Sequence, residues 1–205
     1  MNLKQNPELI PLIEWWEKDG KSTVIWLLVA AIAVGGWYGW KAHKASVKAA
    51  ASEAVVNTFT IEEIEAASAK FAAEPVAGAL KLRLAKNYYE AGRYEEALGV
   101  YEELAGNAPD GFQEVPAVGK AQCLEALKKY DEAAAAFTAF AEANEQSPFA
   151  LTAKLGAARA TAAKGDKTAA LKILESAKSA AGEDEIAKAR IEATEKLVKR
   201  YTPAK

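Results

Sequence analysis

Three short stretches decide how this chain folds: Gly92-Arg93-Tyr94-Glu95-Glu96-Ala97-Leu98, Lys128-Lys129-Tyr130-Asp131-Glu132-Ala133-Ala134 and Gly165-Asp166-Lys167-Thr168-Ala169-Ala170-Leu171. They start 36 and then 37 residues apart, so one unit is written three times. Each lies between two amphipathic stretches, as the turn of a helix–turn–helix unit must. A single unit cannot bury its apolar face alone, and stacked neighbours complete a shared core.

The units resemble the tetratricopeptide repeat, whose pattern asks for small or apolar residues at set places. The first carries Leu84, Ala85, Tyr88, Gly92, Ala97, Tyr101 and Pro109 at the matching offsets. Small residues such as Ala85 and Ala97 let paired helices touch, Tyr88 and Tyr101 fill the space between them, and Pro109 is expected to end the second helix. The second unit keeps Ala121, Leu124, Ala133 and Phe137 but has Lys128 in place of the turn glycine. The third keeps Ala158, Gly165, Ala170, Leu174 and Ala177, with Thr161 where a large residue is usual.

Working outward, Thr60 with Glu63 spells a capping box opening a helix, and Glu74-Pro75 is read as its close. Asn107–Gly111 is the expected turn between the first two units, and Ser147-Pro148 reads as an N-cap followed by a proline at the first helical position. A last helix, about 183–201, has Ile186, Ala189, Arg190, Ala193 and Leu197 at helical spacing and is expected to cap the stack. Abundant Ala, Lys and Glu favour helix throughout, and no period-two run argues for a sheet. The expected class is all-α: an N-terminal transmembrane helix, an α-solenoid of tetratricopeptide type and a C-terminal capping helix. The expected boundaries are a tail over 1–22, the span over 23–40, a stalk and first helix pair over 41–77, three degenerate repeats over 78–182 and the cap with its tail over 183–205.

Thr23–Trp40 is an uncharged run of 18 residues. As a helix it extends roughly 27 Å at about 1.5 Å per residue, close to a bilayer's hydrocarbon thickness. Trp15 and Trp16 precede it, and Trp37, Tyr38 and Trp40 end it, as aromatic rings at headgroup depth do. A cleaved signal peptide is the rival reading; the acidic residues Glu8, Glu14, Glu17 and Asp19 ahead of the run, and its length, speak for an uncleaved anchor. Lys4, Lys18 and Lys21 on one side balance Lys41, Lys44 and Lys48 on the other, so charge leaves the orientation open. Gly35 and Gly39 form a G-x-x-x-G suited to close helix contact, although glycine is also common in membrane helices.

Beyond residue 52 the chain holds 20 of its 26 basic and 24 of its 28 acidic residues, without the basic footprint of a nucleic-acid binder. The lone histidine, His43, sits at the membrane boundary, and Cys123 has no disulfide partner. Neither metal-ligand spacing nor a nucleophile–base pairing is present, and no cofactor or catalytic residue is expected. What remains is binding. By repeat offset the first helix of each unit presents Leu82, Lys86 and Tyr89, then Val118, Gln122 and Glu125, then Leu155, Arg159 and Ala162 to a groove suited to an extended chain or partner helix. The competing reading is that some of these complete packing between repeats.

The layout as a whole resembles the bacterial YfgM family. The resemblance is carried by Trp15-Trp16-Glu17-Lys18-Asp19-Gly20-Lys21, a single span ending in Gly39-Trp40, a polar alanine-rich stalk and the Lys164-Gly165-Asp166-Lys167 turn. It implies a single pass through the inner membrane, a cytoplasmic N-terminus and a periplasmic repeat domain. It also implies the SecYEG translocon and a membrane-anchored, prolyl-isomerase-like chaperone as partners, and a role in passing exported proteins to periplasmic chaperones. A structural scaffold for envelope assembly or cell division is the alternative from another class, and a homo-oligomeric membrane organiser is a third.

Overall fold

The computed structural model describes residues 10–201 and, within them, every side chain except those of Ile10 and Ile13. Residues 1–9 of the expected tail and 202–205 at the C-terminus lie outside the described residues. The chain divides into two compact units, 1–52 and 53–205.

In the first unit, a short helix α1 (Ile10–Trp15) passes through a π-helical turn, Trp16–Gly20, into the long helix α2 (Lys21–Asn57). Gly20 is buried because the Trp15 and Trp16 rings close over it: a Cβ there would meet them at 2.9–3.2 Å. Along α2, Ile25, Trp26, Leu28, Ile32, Val34 and Trp37 stand exposed on every side. A helix that is apolar all round needs a non-aqueous surrounding or a partner, and this one is long and apolar enough to cross a membrane. The Trp37 and Trp40 rings pack 5.6 Å apart, and the Lys44 ammonium lies 5.0 Å from the Trp40 ring.

The second unit takes in the last turn of α2 and then α3 (Ile61–Lys70), α4 (Ala77–Glu90), α5 (Tyr94–Leu104), α6 (Val115–Ala126), α7 (Tyr130–Ala143), α8 (Ala150–Ala163), α9 (Lys167–Ala181) and α10 (Glu185–Arg200). Among the described residues there is no strand. The pairs α4/α5, α6/α7 and α8/α9 are the three repeats of an all-α solenoid. Contacts run from α4 to α6, α6 to α8 and α8 to α10, while α5, α7 and α9 make no comparable contact with one another. The first helices therefore crowd together on the inner side of the stack, and the second helices splay on the outer side.

The same turn is built three times. Peptide N–H groups of Arg93, Lys129 and Asp166 donate to the carbonyls of Tyr88, Leu124 and Thr161, and those of Gly92, Lys128 and Gly165 donate to Tyr89, Glu125 and Ala162. This Schellman-type ending needs a left-handed residue just past the helix, and φ is +77° at Gly92, +61° at Lys128 and +104° at Gly165. Lys128 thus adopts the conformation for which its counterparts use glycine.

Packing between repeats recurs as well. The Tyr101 ring of α5 lies on Gly119 of α6, and the Phe137 ring of α7 lies on Gly156 of α8. A Cβ would come within 2.5–2.7 Å of the first ring and 2.6–2.7 Å of the second, so both glycines are spaces reserved for aromatic rings. Phe137 is fully buried, worth about 2–3 kcal/mol of apolar transfer. Leu84, Ala85, Tyr88, Ala97 and Cys123 belong to the core of the first repeat; Leu155, Ala170, Leu174 and Ile191 to that of the last.

The Thr60–Glu63 capping box opens α3, with Thr60 Oγ1 accepting from the Glu63 N–H and Glu63 Oε2 accepting from the Thr60 N–H. At the end of α2, the Arg83 guanidinium donates to the carbonyls of Val55 and Thr58 and to Thr58 Oγ1, satisfying acceptors that a helix C-terminus leaves free. Three sequence expectations are corrected. Glu74-Pro75 does not end α3, which stops at Lys70; it lies in the following turn. Pro109 does not end α5, which stops at Leu104 before Gly106 at φ +83°; instead it packs against Gly78. Ser147 is not an N-cap, because α8 starts only at Ala150; its hydroxyl bonds Glu114 and accepts from the Phe149 N–H, shaping the approach to the helix.

The last helix also turns over. α10 buries Ala187, Ile191, Thr194 and Val198 and leaves Ile186 75 % and Leu197 50 % exposed. Of the residues read from the sequence at helical spacing, Ile186, Ala189, Ala193 and Leu197 face outward, while the exposed Arg190 reaches α8 and donates to Thr152 Oγ1. Both stripes have helical spacing, and the buried one has small residues at Ala187 and Thr194, which let α10 come close to α8 and α9.

Candidate partner-binding groove

The inner side of the stack is set by the first helices, and their C-terminal halves bring several polar and aromatic side chains together. Arg159 on α8 reaches Glu125 on α6 through two parallel bonds, Nε to Oε1 and Nη2 to Oε2, each 2.7 Å. This bidentate geometry is the strong form of a guanidinium–carboxylate pair. The pair is about a third exposed on the arginine side and a fifth on the glutamate side. The bond to Glu125 raises the Arg159 pKa beyond its already high value, against the opposing effect of burial. The arginine therefore carries its charge at any pH the protein meets.

Tyr89, at the end of α4, feels both partners. Burial raises its pKa first, the Glu125 carboxylate and neighbouring Tyr94 add to the rise, and Arg159 opposes it. Its ring meets that of Tyr94 edge-on at a centroid distance of 5.2 Å. Tyr130, at the start of α7, acts on Tyr201 just past α10 and raises its pKa ahead of burial, and Lys128 and Glu125 also act on it. All four tyrosines are half-buried. The result is a patch of tyrosine rings around one ion pair, spread across all three repeats and the end of α10.

The predicted residues divide accordingly. Tyr89, Glu125 and Arg159 meet in this patch, and Gln122 is half-buried on α6. Lys86 stands in solvent, paired with Glu90 on its own helix at 3.6 Å. Leu82 is half-buried against the first core cluster. Val118 and Leu155, each 4 % exposed, belong to the core, and so does Ala162; no partner can reach them. For these three the packing alternative holds. Gly35 and Gly39 lie one turn apart on α2, and a Cβ at either would meet nothing within 4 Å, so nothing among the described residues requires glycine there.

Sequence reasoning missed Tyr94, Tyr130 and Tyr201. A signal existed for the first two, since Tyr94 and Tyr130 hold the same place in successive turns, 36 residues apart. Tyr201 lies beyond the last aligned turn, and only the packing of α10 brings it to the groove.

Chemically the patch suits recognition. Tyrosine rings offer rigid apolar faces with a hydroxyl at the edge, able to bond a main chain while packing its side chains. The Glu125–Arg159 pair adds both signs of charge at one spot. Among the described residues no group of His, Cys, Asp or Glu is placed to hold a metal ion.

No curated protein and no solved structure matches the chain. A second match, to the tetratricopeptide repeat, covers residues 119–185. The first covers residues 14–137, more than half of the chain, and agrees with the turns and ring-on-glycine contacts described above: the protein belongs to the tetratricopeptide repeat-like domain family.

Proposed function

We propose that this protein is a membrane-anchored binding subunit of the SecYEG translocon, which uses its repeat groove to help pass exported proteins to periplasmic chaperones. The observation that carries the binding role is the patch formed by Tyr89, Tyr94, Glu125, Tyr130, Arg159 and Tyr201, built from three repeats and open to solvent. Family membership supports the same role, since stacked repeats of this kind create extended binding surfaces. The apolar helix α2 supports a membrane anchor.

The finer assignment rests on the resemblance of the Trp15–Lys21 segment and the span to the YfgM family. In this reading α2 crosses the inner membrane once with the N-terminus in the cytoplasm, Gly35 and Gly39 give a close contact for a channel helix, and the repeats work in the periplasm. The groove engages a membrane-anchored, prolyl-isomerase-like chaperone or a chain emerging from the channel.

Purification of the tagged full-length protein in mild detergent tests this. Channel subunits should co-purify with the wild type and with a Tyr89→Ala/Arg159→Glu variant, because the anchor holds them. The chaperone or exported chains should be lost from the variant. Recovery of division or envelope-assembly proteins without channel subunits would contradict the translocon assignment, and unchanged recovery of every partner by the variant would contradict the groove.

A further inference from the structure

Helix α10 occupies the place of a first helix in a fourth repeat. It packs on α8 and α9 as α8 packs on α6 and α7, and it shares a core cluster with Leu155, Leu174 and Ala177 through Ile191 and Val198. In the complete repeats a first helix has two covered faces, one against the preceding unit and one against its own second helix. α10 has only the former. The latter is the outward stripe Ile186–Ala189–Ala193–Leu197, which is bare among the described residues. Beside Leu197 a depression of about 550 Å³ opens between Ala193, Lys196, Arg200 and Tyr201.

The charges flanking this stripe indicate what covers it. The N-terminal end is acidic, with Glu183 and Glu185, and the C-terminal end is basic, with Lys196 and Arg200; Asp184 caps the helix, and Lys199 pairs with Glu195 on the α9 side. Glu183 and Glu185 are 100 % and 81 % exposed and share Lys188. A helix with this polarity is complementary to itself when turned end for end. Antiparallel pairing places the acidic end of one helix beside the basic end of the other, Ile186 of one against Leu197 of the other, and the small Ala189 and Ala193 at the centre where the backbones must approach. It also opposes the two helix dipoles.

We propose that two copies of this protein associate through the outward face of α10, as an isologous, antiparallel helix pair about a twofold axis near Ala189 and Ala193. Each copy then supplies a helix that covers the outward stripe of the other. The two surfaces adjoin at Tyr201, which belongs to the groove patch and also borders the depression beside Leu197.

Cysteine cross-linking of the full-length protein in native membranes tests it, with copper phenanthroline as oxidant. Two single substitutions are compared, Ala193→Cys near the axis and Thr138→Cys, exposed on α7. The native Cys123 stays in place, since it is fully buried and its thiol is pushed up to about 11 by that burial. The expected result is a disulfide-linked homodimer from Ala193→Cys in at least tenfold greater yield than from Thr138→Cys. Adding Leu197→Glu should remove that excess, whereas adding Gly35→Leu and Gly39→Leu should leave it unchanged. Equal yields from the two cysteines, or an excess that survives both Ile186→Glu and Leu197→Glu, would overturn the proposal. Cross-linking of Ala193→Cys to a different polypeptide without homodimer would overturn it too and assign the face to that protein. Both glutamate substitutions fall on exposed positions, so circular dichroism of each variant should match the wild type.

Discussion

Lys128 holds a left-handed backbone at φ +61°, in a turn whose counterparts use Gly92 and Gly165. A side chain in that region costs on the order of 1–2 kcal/mol, against the ~0.5–1 kcal/mol of extra chain entropy that glycine loses on folding. Lys128→Gly should therefore stabilise the second repeat by a few tenths to about 1 kcal/mol, read as a higher midpoint in denaturant unfolding of the detergent-solubilised chain. Gly156 is the opposite case. It has no positive φ, and its reason is the Phe137 ring, whose atoms would lie 2.6–2.7 Å from a Cβ. Gly156→Ala should cost about 1–3 kcal/mol by overpacking, and Gly119→Ala should cost a similar amount against Tyr101. A second-repeat turn was legible in the sequence from Tyr130, Asp131 and Ala133 even without its glycine. That Gly119 and Gly156 receive rings was not, because neither belongs to the aligned turn and only the stacking of neighbouring units brings the rings to them.

At the level of single helices, local chemistry and tertiary packing separate cleanly. The start of α3 is set by Thr60 and Glu63 alone, and it was readable because both partners of a capping box lie within four residues. Backbone N–H donors of Phe59 and Thr60 hold the Glu63 carboxyl below the usual carboxylate range. A depressed folded-state pKa contributes stability at neutral pH that is lost as the pH falls through it. Hydrogen exchange should show α3 protected at pH 7, with Glu63→Gln lowering that protection; on acidification below the ordinary carboxylate value the wild type should approach the variant. The start of α8 and the orientation of α10 were not legible. Ser147 bonds to Glu114, 33 residues away, so its apparent role as a cap yields to a contact between loops. On α10 two stripes of equal periodicity compete, and the fit of Ile191, Thr194 and Val198 against the third repeat decides between them.

Across the molecule, each repeat contributes a part of one surface. Tyr89 and Tyr94 come from the first, Glu125 and Tyr130 from the second, Arg159 from the third and Tyr201 from the chain beyond α10. Three of these were found by repeat offset, since the offset identifies which helix face turns inward; Val118 and Leu155 show that it does not identify how deep a residue lies. Removing Glu125 leaves a half-buried arginine without its bidentate partner, and truncating one member of such a pair costs more than the pair itself contributes. Glu125→Ala should therefore weaken both partner binding and the stability of the α6–α8 contact, whereas Tyr94→Ala should affect binding far more than unfolding. The proposed binding role places a partner protein on this inner surface. Replacing Tyr89 or Tyr130 in the full chain with a photoreactive phenylalanine analogue, alongside the same replacement at Thr138 on α7, tests this. Discrete cross-links are expected from positions 89 and 130 to a channel-associated chaperone or an exported chain, with none from position 138; cross-links of equal yield from all three, or from position 138 alone, would show that the partner does not sit in the groove.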